Sequence, residues 1–410
     1  MAREACVLTD LARYPGADSA EAGEQAWQQC WTQLNHGGQP FLSLPFLRAL
    51  EQSGCTNAST GWVAHHLALF ENGELVAIAP TWLKAHSHGE FVFDWSWADA
   101  YQRHGLPYYP KLLTAVPYSP ITGGRLLVQN GHPDAAGLQK ELIDLALEQC
   151  EELGLSTWHC NFVADADLQS LAEETDASGT TTGLLPRFDW QFHWHNQGFA
   201  DFGEFLSTLR SKKRKNMLRD RRLVRDAGIS FERRSGHELD DGDVDFIFAC
   251  YQRTFLLHGN HPALNREFFA RLVRDMPEAV LAVFATRDGQ PMAMSFFLQG
   301  GGRLYGRYWG CLEDLPGLHF ETAYHQGIEH CIANGLAVFE PGAQGEHKIS
   351  RGFSPVRTRS FHHVCDPRFR AAIARYLAQE SEWLEDYGQR LESHLPFHRE
   401  VGIELPEDRS

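Results

Sequence analysis

The chain has 410 residues, of which 43% are apolar, 22% charged and 12% aromatic, a globular composition with room for two or three domains of ordinary size. This excludes a disordered tail protein, and no stretch nears the roughly 18 consecutive apolar residues of a membrane span. Fifty-three acids against 37 bases give a formal charge of −16, which disfavours general attraction to nucleic acid or anionic membrane and makes any anion site a local one.

The opening residues, MAREACVLTDLARYPGADSA, lack the apolar core of a signal peptide, and the nine scattered cysteines include no C-x-x-C pair. A cytoplasmic protein with reduced thiols is expected. Residues His66 to Ile78 then read as strand, Asn72-Gly73 turn and strand, and Ala282 to Met294 repeat that plan around Asp288-Gly289. Each hairpin precedes an aromatic strand, Phe91 to Trp97 in one copy and Leu304 to Trp309 in the other, with Gly300-Gly301-Gly302 as a turn. Later each copy has a helix ending in glycine and then a strand: Gly137 to Gly154 before Leu155–His159, and Phe320 to Gly335 before Leu336–Glu340.

The chain therefore reads as two diverged copies of one plan, with parts at 1–190, 191–366 and a helical tail at 367–410. Gly73 to Gly289 is 216 positions and Gly154 to Gly335 is 181, so the first copy carries 35 extra residues. They fall in 95–130, where tyrosines, prolines and Gly123-Gly124 predict a rigid aromatic loop suited to binding. Hairpin, strand, helix and strand make an α/β (α+β) plan with a mixed, largely antiparallel sheet flanked by helices.

Two segments have the composition for chemistry. Residues 209–234 hold eleven bases against three acids, and a helical reading puts Leu206, Leu209, Met217 and Val224 on one narrow face, with Gly228 as its end. A solvated face is the plain explanation of a charge run, and pairing with Asp240, Asp241, Asp243 and Asp245 is another. On so acidic a protein the concentration favours a phosphate-bearing ligand. The second segment is FEPGAQGEHKISRGF, 339–353, after a buried strand: Glu340 and His347 can relay a proton, while Lys348 and Arg351 can hold an anion or a developing oxyanion. The plain alternative there is a polar turn. No metal site is expected, since His193 and His195 alternate with Phe192 and Trp194 as strand residues do and no H-E-x-x-H occurs. G-x-S-x-G and P-loop signatures are also absent.

Residues 317–353, GLHFETAYHQGIEHCIANGLAVFEPGAQGEHKISRGF, with DWSWADAY (94–101), PYYPKLL (107–113), SKKRKNMLRDRR (211–222) and FLLHGNHPALNREFF (255–269), resemble the FemAB-like proteins of peptidoglycan biosynthesis or recognition, within the GNAT acyltransferase superfamily. The likeness runs from Phe41 to Phe397. It implies two GNAT-like domains in tandem and transfer of an acyl or aminoacyl group onto an amine. The donor is then acyl-CoA or aminoacyl-tRNA, although the acidic net charge does not favour tRNA, and the acceptor is a small-molecule or peptide amine. The superfamily's [RQ]-x-x-G-x-[GA] pyrophosphate loop is nearly missing: in Glu313–His319 only Gly317 fits.

The expected roles follow from position and chemistry. Glu340, His347, Lys348 and Arg351 form the catalytic group; Arg214, Lys215, Arg219, Arg222, Gly317 and His319 bind donor phosphates; Trp97, Tyr108 and Tyr109 line the acceptor cleft. A reading from another class is a catalytically inactive GNAT-fold protein that recognises a cell-wall peptide or amino sugar.

Overall fold

The computed structural model describes residues 3–173, 183–342 and 345–398. It divides into two compact units, Met1–Asp189 with Thr358–Leu384, and Trp190–Arg357 with Glu385–Ser410. The tail 367–410 is not a part of its own in this division: its helix Pro367–Ser393 is assigned to the first unit up to Leu384 and to the second from Glu385, and 399–410 lie outside the described residues. No helix among the described residues is long and apolar enough to cross a membrane.

In the first unit, Arg3–Leu8, His66–Glu71, Glu74–Ala79 and Leu127–Val128 form an antiparallel sheet in that spatial order. The hairpin at its centre turns through Asn72 (φ 53°) and Gly73 (φ 84°), the left-handed pair that an Asn-Gly turn supplies at least cost. A second run orders Trp62–Ala64, Thr81–Lys84, Lys111–Thr114 and Thr157–Val163, the last two parallel, and then pairs Thr157–Val163 with the end of Ser354–Val364. Helix Ala135–Glu152 presents Leu138, Leu142, Ile143, Leu145, Ala146 and Cys150 to a core shared with Leu67, Leu69, Val76, Ala77, Leu112 and Trp158.

Two expectations fail in this unit. Trp97 lies not in a strand but in helix Trp95–Arg103, because Trp97 and Tyr101, four residues apart, bury one helical face against Tyr108, Phe369 and Ile373. The segment 95–130 is likewise no featureless loop, since it contains that helix, the wholly buried strand Lys111–Thr114 and Leu127–Val128.

The second unit orders Ile229–Ser235, Val280–Arg287, Gln290–Gly300 and Arg303–Cys311 as antiparallel neighbours, with Asp288 (φ 52°) and Gly289 (φ 76°) in the hairpin. Strand Val338–Glu340 joins parallel to Arg303–Cys311, and Trp194 and His195 pair on its other side. Helix Asp241–Leu257 lies close on the sheet: a Cβ placed on Gly310 would clash with the Cys250 carbonyl oxygen. The helix expected over 206–224 is two, Phe202–Thr208 and Ser211–Asp226, broken at extended Leu209, and its four apolar residues are all buried.

Candidate active site and a buried polar cluster

Strands Arg303–Cys311 and Val338–Glu340 pair only over Arg303–Tyr305 and Val338–Glu340. The ladder ends at Tyr305 and Glu340, and Gly306–Cys311 is paired with the other neighbour alone. The end of a ladder leaves backbone polar groups on the facing edge that need other partners. Glu340 is the last residue of the ladder and is 1% exposed. Its Oε1 accepts from Arg303 Nη1 at 2.8 Å, its Oε2 has no hydrogen-bond partner among the described residues, and His193 Nε2 lies 3.8 Å from that oxygen. Burial raises its ionisation to about 7 despite the Arg303 charge.

Chain continuity carries the next group. Gly317, in the left-handed region at φ 88°, caps a helical run of Leu318–Phe320, a π turn at Glu321–His325 and Gln326–Asn334. A Cβ there would meet the Asp220 carbonyl oxygen at 2.9 Å, so the position suits glycine on both counts. The wider turn is held by Glu321, which accepts from His325 at 2.7 Å and Gln326 at 2.9 Å and pairs with Arg221 at 3.1 Å. One helical turn apart, Phe320 and Tyr324 form an aromatic wall with His319, Trp309 and His347.

His347 Nε2 shares a 3.0 Å hydrogen bond with the Tyr324 hydroxyl. The Arg351 guanidinium stacks 3.3 Å above the Phe320 ring, donates to the His347 carbonyl at 2.9 Å and lies 3.5 Å from Asp220. Lys348 is 2% exposed and donates to the Gly342 carbonyl at 2.6 Å, and burial lowers its ionisation to about 7. Burial also lowers His319 to about 4, with the neighbouring His347, Arg351 and Lys348 charges acting in the same direction. Thus His319, His347, Lys348 and Arg351 gather in one place, while the hydrogen-bond and ion-pair partners of Glu340 are Arg303 and His193 rather than His347.

The basic helix Ser211–Asp226 turns Met217, Asp220 and Val224 inward. Asp220 reaches Arg351, and Arg221 pairs with Glu321 and Glu329. Lys215, Arg219 and Arg222 are exposed, and Arg214 is half-buried. Arg219 makes a 3.4 Å contact to its neighbour Asp220; Arg214, Lys215 and Arg222 have no ion pair among the described residues. Asp243 pairs with Arg234, and Asp241 and Asp245 with Arg266, so these acids do not neutralise the helix.

The proposed acceptor residues belong to a buried cluster in the first unit. Trp97 and Tyr108 are 3% and 4% exposed, and Tyr109 is half-buried with its hydroxyl 2.7 Å from Ser87. Tyr108 donates to Asp94 Oδ2 at 2.5 Å, and its hydroxyl lies 3.4 Å from His159 Nε2. Lys111 binds Glu90 at 2.8 Å and also Asp94. Burial raises Glu90 to about 7; it also pushes Asp94 up, but the Lys111 ammonium together with hydrogen bonds from Ser87 and Tyr108 outweighs it and leaves Asp94 below its ordinary value. Glu90, Asp94 and His159 offer metal-ligand atoms within 4.8 Å of one another, with the Lys111 ammonium on both carboxylates. Among the described residues, Glu90 Oε1, Asp94 Oδ1, His159 Nδ1 and both nitrogens of His362 have no hydrogen-bond partner, although His159 Nδ1 lies 3.7 Å from Asp94 Oδ2.

Sequence reasoning missed Arg303, Tyr324 and Asp220, took His193 for an ordinary strand residue, and named Trp97, Tyr108 and Tyr109 without the charged groups Glu90, Lys111 and His159 around them. The available signal was a charge at the end of each short apolar run, Lys84 in Thr81–Lys84 and Lys111 in Lys111–Thr114.

Solved structures share the fold at low identity. L-PGS from Bacillus licheniformis aligns at 10% identity over 90% of this chain and 99% of its own, with TM-score 0.50. FemX aligns at 11% over 83% and 96% with TM-score 0.47, and a tandem GNAT protein from the clavulanic acid biosynthesis pathway at 12% over 89% and 99% with TM-score 0.41. No curated protein sequence matches. The fold is mixed α/β in two units, each with a mixed, largely antiparallel sheet and helices, and L-PGS shares it. The profile of the FemAB-like family, described as peptidoglycan biosynthesis/recognition, matches residues 20–399, and the chain belongs to that family.

Proposed function

We propose that the protein is an N-acyltransferase that moves an acyl or aminoacyl group from an activated donor, acyl-CoA or aminoacyl-tRNA, to an amine acceptor of the peptidoglycan pathway. The observation that carries this reading is Glu340: a buried carboxylate at the end of a two-strand parallel ladder, with one oxygen lacking a hydrogen-bond partner among the described residues and an ionisation near neutrality. A general base works best when its pKa lies near the operating pH. The amine nitrogen attacks the donor carbonyl carbon, its proton passes to Glu340 directly or through one water, and the tetrahedral intermediate collapses to release thiolate or ribose oxygen. Arg351 and Lys348 supply positive charge for the oxyanion or a donor phosphate, and His347 with Tyr324 holds a second proton path.

The exposed bases Lys215, Arg219 and Arg222, with Arg214, take donor phosphates, and Gly317 with His319 opens the helix beside them. Of the three aromatic residues expected to meet the acceptor, Tyr109 keeps exposed surface and stays the candidate contact, whereas Trp97 and Tyr108 are enclosed in the first unit's cluster. The binding-protein reading is favoured by one feature, the single glycine left of the pyrophosphate signature. Glu340→Gln and His347→Ala each cut transfer about a hundredfold or more if they act in acid–base catalysis. Full turnover in both would remove the assignment, and tight acceptor binding with no product from any donor would favour the binder.

A further inference from the structure

The cluster around Lys111 lies wholly within the first unit and is assembled from distant parts of the chain. Glu90 and Asp94 precede helix Trp95–Arg103, Lys111 opens strand Lys111–Thr114, and His159 lies in Thr157–Val163. All four are 2% exposed or less. Asp94 is the N-cap residue of its helix, yet its side chain makes no capping bond and turns into the cluster instead. The donors there are spent. Lys111 Nζ donates to Glu90 Oε2 at 2.8 Å, to Asp94 Oδ2 and to Ser87 Oγ at 3.1 Å, which uses all its hydrogens. The Tyr108 hydroxyl gives its hydrogen to Asp94 Oδ2, so toward His159 Nε2, 3.4 Å away, its oxygen can only accept. In the neutral ring Nε2 then carries the hydrogen and Nδ1 presents a lone pair. That lone pair lies 3.7 Å from Asp94 Oδ2 and, like Glu90 Oε1 and Asp94 Oδ1, has no hydrogen-bond partner among the described residues. Buried Lys84 does not serve these acceptors: it donates to the His88 carbonyl at 3.2 Å and lies 3.6 Å over the Trp62 ring.

We propose that Glu90, Asp94 and His159 form a site for one divalent cation of the zinc class, held by an oxygen of each carboxylate and by His159 Nδ1. Each of the three residues offers a ligand atom within 4.8 Å of the other two. The 3.7 Å from His159 Nδ1 to Asp94 Oδ2 is too long for a hydrogen bond. It is close to the separation of about 3.3 Å between ligand atoms of a tetrahedral zinc ion, whose bonds are about 2.0–2.1 Å.

Charge and ligand chemistry agree with this reading. Two buried carboxylates share the single ammonium of Lys111, so a further positive charge on their other oxygens is balanced rather than repelled. An imidazole beside two carboxylates suits zinc, manganese or iron(II), whereas magnesium and calcium take oxygen ligands alone. The contact between His159 Nε2 and Tyr108 supplies the outer partner that fixes a ligating ring, and three protein ligands leave a position for water. The ion would tie the start of helix Trp95–Arg103 to strand Thr157–Val163 and so brace the Tyr108–Tyr109 segment between them. The sequence predicts no metal because no local spacing joins residues 90, 94 and 159. The site is independent of the acyl-transfer reading, and its test needs no activity.

The full chain, produced with zinc in the growth medium so that the ion is present as it folds, is desalted and analysed by inductively coupled plasma mass spectrometry. The expected result is one zinc ion per chain. X-ray absorption should show a shell of nitrogen and oxygen alone at about 2.0–2.2 Å, with one imidazole. The cobalt(II) form should show visible d–d bands without the sulfur-to-metal charge transfer that binding by the free cysteines would give. His159→Gln should weaken zinc binding about a hundredfold or more, while His88→Gln, at an exposed position outside the set, should leave it unchanged. Circular dichroism separates a lost site from a lost fold, and if His159→Gln does not fold, the absorption shell of the wild type decides. Absence of stoichiometric metal, sulfur in the shell, or equal affinity in a folded His159→Gln protein would overturn the proposal.

Discussion

Replacing Glu340 by Gln should change how the stability of the second unit depends on pH. The carboxyl ionises near 4.5 in an unfolded chain and at about 7 in the fold. Between those values the folded protein binds the extra proton, so stability is full below about pH 4.5, falls as pH rises through the folded pKa and then levels. The displacement corresponds to about 3 kcal/mol, from roughly 1.4 kcal/mol for each tenfold change. The amide that replaces the carboxylate would keep the hydrogen bond from Arg303 without a charge to desolvate. Urea unfolding of both proteins from pH 4.5 to 8.5, followed by a probe in the second unit, should show the wild type losing up to about 3 kcal/mol relative to the variant. Parallel stability–pH curves would refute the claim that burial holds Glu340 near neutrality.

Replacing Arg219 and Arg222 together with Gln should raise the donor's KM or Kd tenfold or more, since a charged contact is worth about 1.5–3 kcal/mol, with the effect shrinking as salt rises. The acceptor's KM should hold, and stability should move by no more than about 0.5 kcal/mol because both side chains are exposed; a fall in melting temperature at unchanged donor affinity would remove the helix from the site. Lys111→Met should cost about 3–5 kcal/mol by leaving Glu90 and Asp94 buried without their cation, and adding Asp94→Asn should recover part of it in the same denaturation assay. Gly310→Ala should lower stability by about 1–3 kcal/mol, because the new methyl group meets the Cys250 carbonyl; an unchanged melting temperature would show that the helix yields at that point.

The local code was readable where one residue type has one conformational use. Asn72-Gly73 and Asp288-Gly289 take left-handed pairs, and Gly154 and Gly335 follow their helices at φ 63° and 65°. Aromatic residues misled, because Trp95 and Trp97 fit a strand by propensity, whereas the i, i+4 pair of Trp97 and Tyr101 decides for helix through tertiary burial. Strand Lys111–Thr114 was hidden by its leading lysine, whose charge is tolerable only beside Glu90 and Asp94, a pairing that no local window contains. In the site, the positions of His347, Lys348 and Arg351 on one short turn were legible from spacing. The partners Tyr324, Phe320 and Asp220 were not, since a π turn and a helix from another part of the chain bring them there.

Acyl transfer with Glu340 as base is tested by product formation against pH for wild type and Glu340→Gln, with a panel of acyl-CoA and aminoacyl-tRNA donors and peptidoglycan-precursor amines. Product should form from one donor class, with kcat/KM rising with pH through about 7 in the wild type, and the variant should lose about a hundredfold or more with that rise abolished. Equal rates and superimposed pH profiles in the two proteins would contradict it.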